Sequence, residues 1–406
     1  MCPEKTEKIK KLRAKIENIE SELEWTEFKI GDLFEKLNTR YLGEAPKIGS
    51  ASTTKSDEFC VPLVNAKVGD NGVMYWAKEG DFETHENAIA VVQDGAVAAG
   101  LVYAHKNKVG VYSHSHMIAL KNGLKNHNVN LFLSAVLTNT LYPKYSRDYI
   151  ATWGKIKNDR IFLPTSNKKP FFYYMEKYIE LITNERISQL AAYLKASGLN
   201  NFEITKNDFQ LFNKTIETKM FKLACNYEMR KKIVPVNEDG IFEIKPTKKK
   251  INANVTDFNG AHPYIARGES NNGVRGFITE NLSGINKGKT IAFGQDTATM
   301  FYQKDDYFTG DKIQILSLNP KYGELDELLA MYLISAIKKS FSNFRWGAQS
   351  FAVSVISEIE IELPINNAGM LDLNYMRSYA KVVQKMVIKN TAEWTQKELD
   401  AMESCT

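Results

Sequence analysis

Long apolar runs are missing from this 406-residue chain. None approaches the roughly 18 to 20 residues that a membrane helix needs, and the opening MCPEKTEKIKKLRAKIENIE lacks the apolar stretch of a signal peptide. A cytoplasmic protein with no membrane partner is the expectation. Cysteine is scarce as well: Cys2, Cys60, Cys225 and Cys405 lie far apart with no C-x-x-C spacing. That argues against a zinc site or a disulfide framework and suits a reducing compartment. Neither sign of charge dominates, since 53 Lys and Arg face 48 Asp and Glu, a net charge of +5. Such a balance permits a polyanionic partner without demanding one. Low-complexity tracts are also absent, and 43% hydrophobic residues provide for a sizeable core.

Recognisable catalytic motifs are lacking too. Adenine-type DNA methylation requires a glycine-rich loop for S-adenosylmethionine and an (Asn/Asp)-Pro-Pro-aromatic motif at the flipped base. The nearest approach, Asn319-Pro320-Lys321-Tyr322, has no second proline and no glycine-rich partner upstream, so it reads as a turn. Glu243-Ile-Lys245 imitates the end of a metal-nuclease site, but no acid is placed upstream to complete it. His114-Ser-His116 puts two imidazoles at alternate positions, on one face if the segment is a strand, with no third ligand evident. The expectation is a chain with no catalytic residue and no metal.

What is present is a repeat. Pro62, Asn71-Gly72-Val73, Ser134-Ala135 and Tyr174-Met175-x-x-Tyr178 recur at Pro263, Asn272-Gly273-Val274, Ser335-Ala336 and Tyr375-Met376-x-x-Tyr379, all displaced by 201. Ile89-Ala90-x-x-Gln93-Asp94 recurs at Ile291, displaced by 202, and Leu163-Pro164 at Leu363, displaced by 200. Order is kept over a long stretch, which points to duplication of one unit. Each copy reads as β-rich segments with Gly and Asn turns, an inner helix, a short strand ending in proline, and a long helix. In the first copy these are VPLVNA, AIAVVQ and HMIAL, a helix near Asn130 to Leu141 and a strand from Arg160 to Leu163. In the second they are HPYIAR, TIAFGQ and KIQILSL, a helix from Leu325 to Ser340 and a strand from Ile359 to Leu363.

Helices flank the copies. Ile9, Leu12, Ile16, Ile19 and Leu23 alternate spacings of three and four, the seam of a helix seeking a helical partner. Met175, Ile179 and Ile182 begin a similar seam that resumes, one residue shifted, at Ile187, Leu190 and Leu194. Met376, Tyr379, Val383 and Met386 repeat it near the end, so the N-terminal and C-terminal helices are expected to pair. A central helix from Phe171 to Leu194 would span roughly 36 Å, close to one turn of B-DNA at about 34 Å. The reading is therefore α/β: two repeated domains of mixed α/β structure separated by long coiled-coil-like helices. It divides the chain into an N-terminal helix (1–24), a first domain (25–170), a central helical spacer (171–237), a second domain (238–370) and a C-terminal helix (371–406). The irregular 199–239 stretch is assigned no more than a helical linker.

In this order, and twice, the residues resemble the specificity subunits of type I and related type II restriction-modification enzymes. The features that carry it are the opening segments Trp25-Thr-Glu-Phe28-Lys-Ile30 and Ile241-Phe-Glu-Ile244, the turns NAKVGDNGV and ARGESNNGV, and the closing strands IFLP and IELP, each followed by a helix. The likeness covers essentially the whole chain. It implies that each domain is a target-recognition domain for one half of a split double-stranded DNA sequence. It implies that the helices dock DNA methyltransferase subunits, with a restriction nuclease subunit as a further candidate partner. The chain itself would bind no cofactor, S-adenosylmethionine being held by the methyltransferase. A duplicated protein-interaction scaffold without DNA specificity is the alternative.

Base reading needs Arg or Lys for guanine and Asn or Gln for adenine, presented from loops, with phosphate contacts supplying register. The candidates in the first domain are Lys67, Asn71, Gln93, Lys106, Arg147 and Trp153. In the second they are Arg267, Asn271, Asn272, Arg275, Gln295, Arg345 and Gln349. Asn next to Gly also forms turns, and the tryptophans also anchor cores. The matched Gln93-Asp94 and Gln295-Asp296 suit a shared scaffold role, and residues that differ between copies are better specificity determinants. Lys248, Lys249 and Lys250 could approach phosphate.

Overall fold

The computed structural model describes residues 3–44, 47, 49–341 and 351–404. It separates into two compact units, Met1–Ala196 with Trp394–Thr406, and Ser197–Glu393. Among the described residues no helix is long and apolar enough to cross a membrane.

The first unit opens with α1 (Pro3–Glu20), β1 (Glu24–Lys29), the single turn α2 (Ile30–Leu33) and β2 (Phe34–Lys36). There follow β3 (Ala51–Ser52), β4 (Val61–Val64), β5 (Val73–Ala77), β6 (Ala88–Val92), β7 (Val102–His105), β8 (Gly110–Val111) and β9 (Ser115–Leu120). The unit continues through α3 (His127–Leu141), α4 (Trp153–Ile156), β10 (Arg160–Ser166), β11 (Lys169–Pro170) and α5 (Phe172–Ala196). One sheet has the order β2-β9-β6-β7 and a second β3-β5-β4-β8, while β1 pairs antiparallel with β10. All five residues of β6, Ala-Ile-Ala-Val-Val, are buried. An uninterrupted apolar run of β-branched and small residues suits a strand covered on both faces.

Helix α3 starts where the Asn126 side chain accepts from the Val129 amide, and it buries Val129, Leu133, Leu137 and Leu141. That i, i+4 spacing keeps one face on the core. The N-terminal seam finds its partner in α5: Ile16 is 1% exposed, Arg13 reaches Glu185 at 2.5 Å and Tyr174 donates to Glu20 at 2.8 Å. On α5 itself Met175, Ile187 and Leu194 are buried as the seam requires, whereas Ile182 is exposed. With 25 residues the helix is about 37 Å long.

The second unit contains α6 (Lys206–Phe212), β12 (Thr218–Lys222), β13 (Ala224–Met229), β14 (Lys232–Pro235) and β15 (Phe242–Pro246). Next come β16 (His262–Ile265), β17 (Val274–Ile278), β18 (Thr290–Gly294), β19 (Met300–Gln303), β20 (Phe308–Thr309) and β21 (Ile313–Leu318). The helix α7 (Glu327–Ser340), the single turn α8 (Val353–Ile356), β22 (Glu360–Pro364) and α9 (Leu373–Ser404) complete it, α9 grouping with the first unit from Trp394 onward. Its sheets have the orders β14-β13-β15-β21-β18-β19 and β17-β16-β20, and β12 pairs with β22. The core strands of the first unit recur in the same order: β15-β21-β18-β19 repeats β2-β9-β6-β7, and β17-β16-β20 repeats β5-β4-β8.

The duplication places some residues differently from the sequence reading. The counterpart of β1 is β12, not the Ile241–Ile244 segment; both pair with the closing strand of their unit, while Phe242↔Leu318 matches Phe34↔Leu120. The stretch 199–239 is helical only at α6 and otherwise supplies β12 and the hairpin β13-β14, which extends the main sheet. This hairpin turns at Arg230 and Lys231, both at positive φ (50° and 63°). Such a primed turn usually shows itself in sequence by Asn-Gly or Asp-Gly, and Arg-Lys conceals it. The Ser134-Ala135 and Ser335-Ala336 match is also out of register by one. Caps and buried positions align at a displacement of 200, Asn126 with Asp326, Leu133 with Leu333 and Leu137 with Ile337, so Ser134 is buried and Ser335 exposed. Helix α6 carries a capping box between Thr205 and Asp208, and Asp208 reaches Lys385 of α9 at 2.7 Å.

Candidate nucleic-acid interface

Each unit has a tight turn between the first two long strands of its smaller sheet. Asn71 and Gly72 have φ of 53° and 74°, and Asn272 and Gly273 have 51° and 75°. A Cβ on Gly72 would lie 2.8 Å from the Tyr103 ring, and one on Gly273 2.8 Å from the Phe301 ring. Only glycine combines that backbone with that approach. The preceding asparagine ties the turn to the main sheet, Asn71 Nδ2 donating to Ala104 O at 3.0 Å and Asn272 Nδ2 to Tyr302 O at 2.9 Å. The neighbouring Asn271 donates to Val274 O at 3.0 Å, and Lys67 to Val73 O at 3.0 Å while pairing with Asp70 at 2.6 Å. Asn71, Asn272, Asn271 and Lys67, singled out as base or phosphate readers, thus have internal partners that shape the turn.

Three loops of the first unit converge where β6 ends. Gln93 N donates to His114 O at 2.8 Å, and Ala151 N donates to Gln93 O at 2.7 Å. Asp94 Oδ1 lies 2.6 Å from His114 Nδ1. Trp153 opens α4 beside this loop and packs edge-on to His116, ring centroids 6.4 Å apart. Trp153 is partly buried against the core of the unit, and its repeat partner by position is Val353, which opens α8. Arg147 is exposed on a loop pinned by stacking of Tyr145 on Tyr149 at 5.2 Å and by a 2.7 Å hydrogen bond from Tyr145 to Asp159. Lys106 is exposed at the other end of the β6–β7 ladder, next to the Ala88↔His105 pair. The structure therefore brings Gln93 and Trp153 together and sets Lys106 apart. His114 and His116 do not share a face: His114 is exposed with φ 56°, whereas His116 is 2% exposed inside β9.

The second unit forms a groove of about 740 Å³ whose lining includes Arg267, Arg275, Asp296, Thr297, Asn252 and Asn254. Asp296 accepts from Arg267 Nη1 and lies 2.9 Å from Lys312 Nζ. Arg275 is exposed and its guanidinium sits 5.7 Å from the Phe258 ring centre. Gln295 is engaged internally, giving Nε2 to Phe351 O at 3.3 Å and receiving Gln314 Nε2 at 3.2 Å. Of the basic run, Lys249 pairs with Glu280 and Lys250 with Asp311. Arg345 and Gln349 lie outside the described residues. Sequence reasoning missed Asn252 and Asn254, which no repeat partner marks, and missed Lys312. The signal for Lys312 was its place directly before a strand, matching His114 in the first unit.

The groove thus presents arginine, asparagine and threonine side chains around two carboxylates, Asp296 and Asp311, each paired with a cation, a set able to meet base edges and phosphates. Residues 231–391 match the family model of the type I restriction modification DNA specificity domain. No curated protein matches the chain. Among solved structures, the S subunit of a type I restriction-modification system from M. genitalium is 16% identical over 94% of each chain, with a TM-score of 0.56. The HsdS subunit from Thermoanaerobacter tengcongensis is 12% identical over 93% of this chain and 94% of that one, with a TM-score of 0.29. A chain from a study of complex assembly in the type I restriction-modification system is 10% identical over 93% and 95%, with a TM-score of 0.35. The first of these establishes a shared fold.

Proposed function

We infer that this chain is the DNA-recognition subunit of a restriction-modification complex and reads a bipartite target, one half with each unit. The observation that carries this is the match of residues 231–391 to a DNA specificity domain, combined with the recurrence of the same core strand order in the first unit. A domain that is duplicated with its turn and core strand order brings its function twice. The groove in the second unit and the strand-end loops in the first supply polar side chains that differ between the copies, as two different half-sites require. A duplicated protein-interaction scaffold leaves the family match without a reason.

In this proposal the chain has no catalytic residue. Its partners are double-stranded DNA and DNA methyltransferase subunits in the cytoplasm, with a restriction nuclease subunit as a further partner. The methyltransferase holds S-adenosylmethionine and performs the chemistry, and this chain chooses where.

The test is the adenine methylome of the native host with and without this gene. One split methylated motif that disappears on deletion supports the reading. An unchanged methylome under verified expression of all subunits sinks it.

A further inference from the structure

Asp94 and Asp296 lie two residues past the equivalent strands β6 and β18, and each pairs with the residue just before the next central strand. In the first unit that residue is His114, in the second Lys312, and both have a left-handed backbone, φ 56° and 57°. The repeat has kept the carboxylate and changed the side chain paired with it. In the second unit the same carboxylate also accepts from Arg267, whose repeat partner, at the displacement of 201 that aligns the turns, is Ala66. An arginine held by the shared aspartate is thus found in the second unit and has no counterpart in the first.

We propose that Arg267 is a specificity-determining residue that reads guanine in the second half-site, and that Asp296 is the positioning residue that holds its guanidinium ready. This rests on the DNA-recognition reading above. One guanidinium nitrogen is engaged by Asp296, while 39% of the Arg267 side chain remains exposed on the wall of the groove. An arginine carries five N–H donors in a rigid fork, and guanine O6 and N7 present the acceptor pair that this fork fits. Fixing the side chain beforehand removes rotamer freedom that binding would otherwise have to remove. Lys312 contributes a second cation to the one carboxylate, which leaves the local charge positive and favourable to the DNA surface. Among the described residues Asp94 pairs with His114 and with no arginine, so in this proposal the first half-site takes no guanine contact from the equivalent position.

The experiment uses the complete complex in its host, carrying wild-type chain, Arg267→Lys or Asp296→Asn, followed by methylome sequencing. Purified complexes are compared by thermal melting. Arg267→Lys keeps the charge and loses the fork. It is expected to relax the requirement for one guanine in one half of the motif, lowering discrimination there on the order of 10- to 100-fold, with the other half unchanged. Asp296→Asn is expected to relax the same position. An unchanged motif in both variants overturns the proposal. So does methylation lost uniformly at every site together with a lowered melting temperature, because a merely structural ion pair behaves that way. If the wild-type complex itself has no motif that depends on this gene, the DNA-recognition reading has failed, and that result is distinct from either of the others.

Discussion

Acidification is expected to loosen the first unit through two buried histidines. His116 is 2% exposed in β9, and neither ring nitrogen has a hydrogen-bond partner among the described residues. Burial, aided by Lys36, pulls it from 6.5 to about 4. His105 is 6% exposed, accepts from Asn71 through Nδ1, and is pulled to about 4 by burial and His127. Both are neutral when folded. As pH falls below 6.5 the unfolded chain takes up protons that the folded unit refuses, so stability is intact above that pH and declines until about pH 4. At pH 5 the linkage comes to about 2 kcal/mol for each histidine. His116→Leu removes a polar group that has nothing to bond, so it should cost little at pH 7 and should remove from the loss at pH 5 the roughly 2 kcal/mol that His116 contributes. Urea unfolding followed by tryptophan fluorescence at pH 7 and pH 5 measures this, with hydrogen exchange to localise the change. Carboxylates titrate equally in wild type and variant, so the difference isolates His116. Equal pH dependence in the two proteins would refute the reasoning.

The turn glycines and asparagines give the remaining predictions. Gly273→Ala forces a φ of 75° on a residue with a Cβ placed 2.8 Å from the Phe301 ring, and should lower stability by about 2–3 kcal/mol; Gly72→Ala should do the same in the first unit, both read by denaturant titration. Asn272→Ala removes one side-chain hydrogen bond and should cost about 1 kcal/mol, and Asn71→Ala removes two, to Ala104 O and His105 Nδ1, and should cost about 2 kcal/mol, both leaving the methylated motif unaltered. A changed motif would show that these asparagines touch bases as well as shape the turn.

The sequence alone was enough for the duplication, the α/β class and the main strands and helices, because those rest on local pattern. Apolar runs such as Ala88–Val92 can be satisfied only in a covered strand, and Leu133, Leu137 and Leu141 share a face at any helix of ordinary pitch. Asn-Gly at positions 71–72 and 272–273 declared its turn because so few residues accept that backbone. Tertiary structure decided what local pattern leaves open. The Arg230-Lys231 turn has no sequence mark, so the β13-β14 hairpin emerges only because β15 offers β13 a ladder to pair with. Which polar residues are occupied and which face solvent was also invisible, since hydrogen-bond partners such as Ala104 O for Asn71, Phe351 O for Gln295 and Asp296 for Arg267 lie 29 to 56 residues away. A side chain's chemistry is written at its own position, but its availability depends on neighbours that only the folded chain brings near.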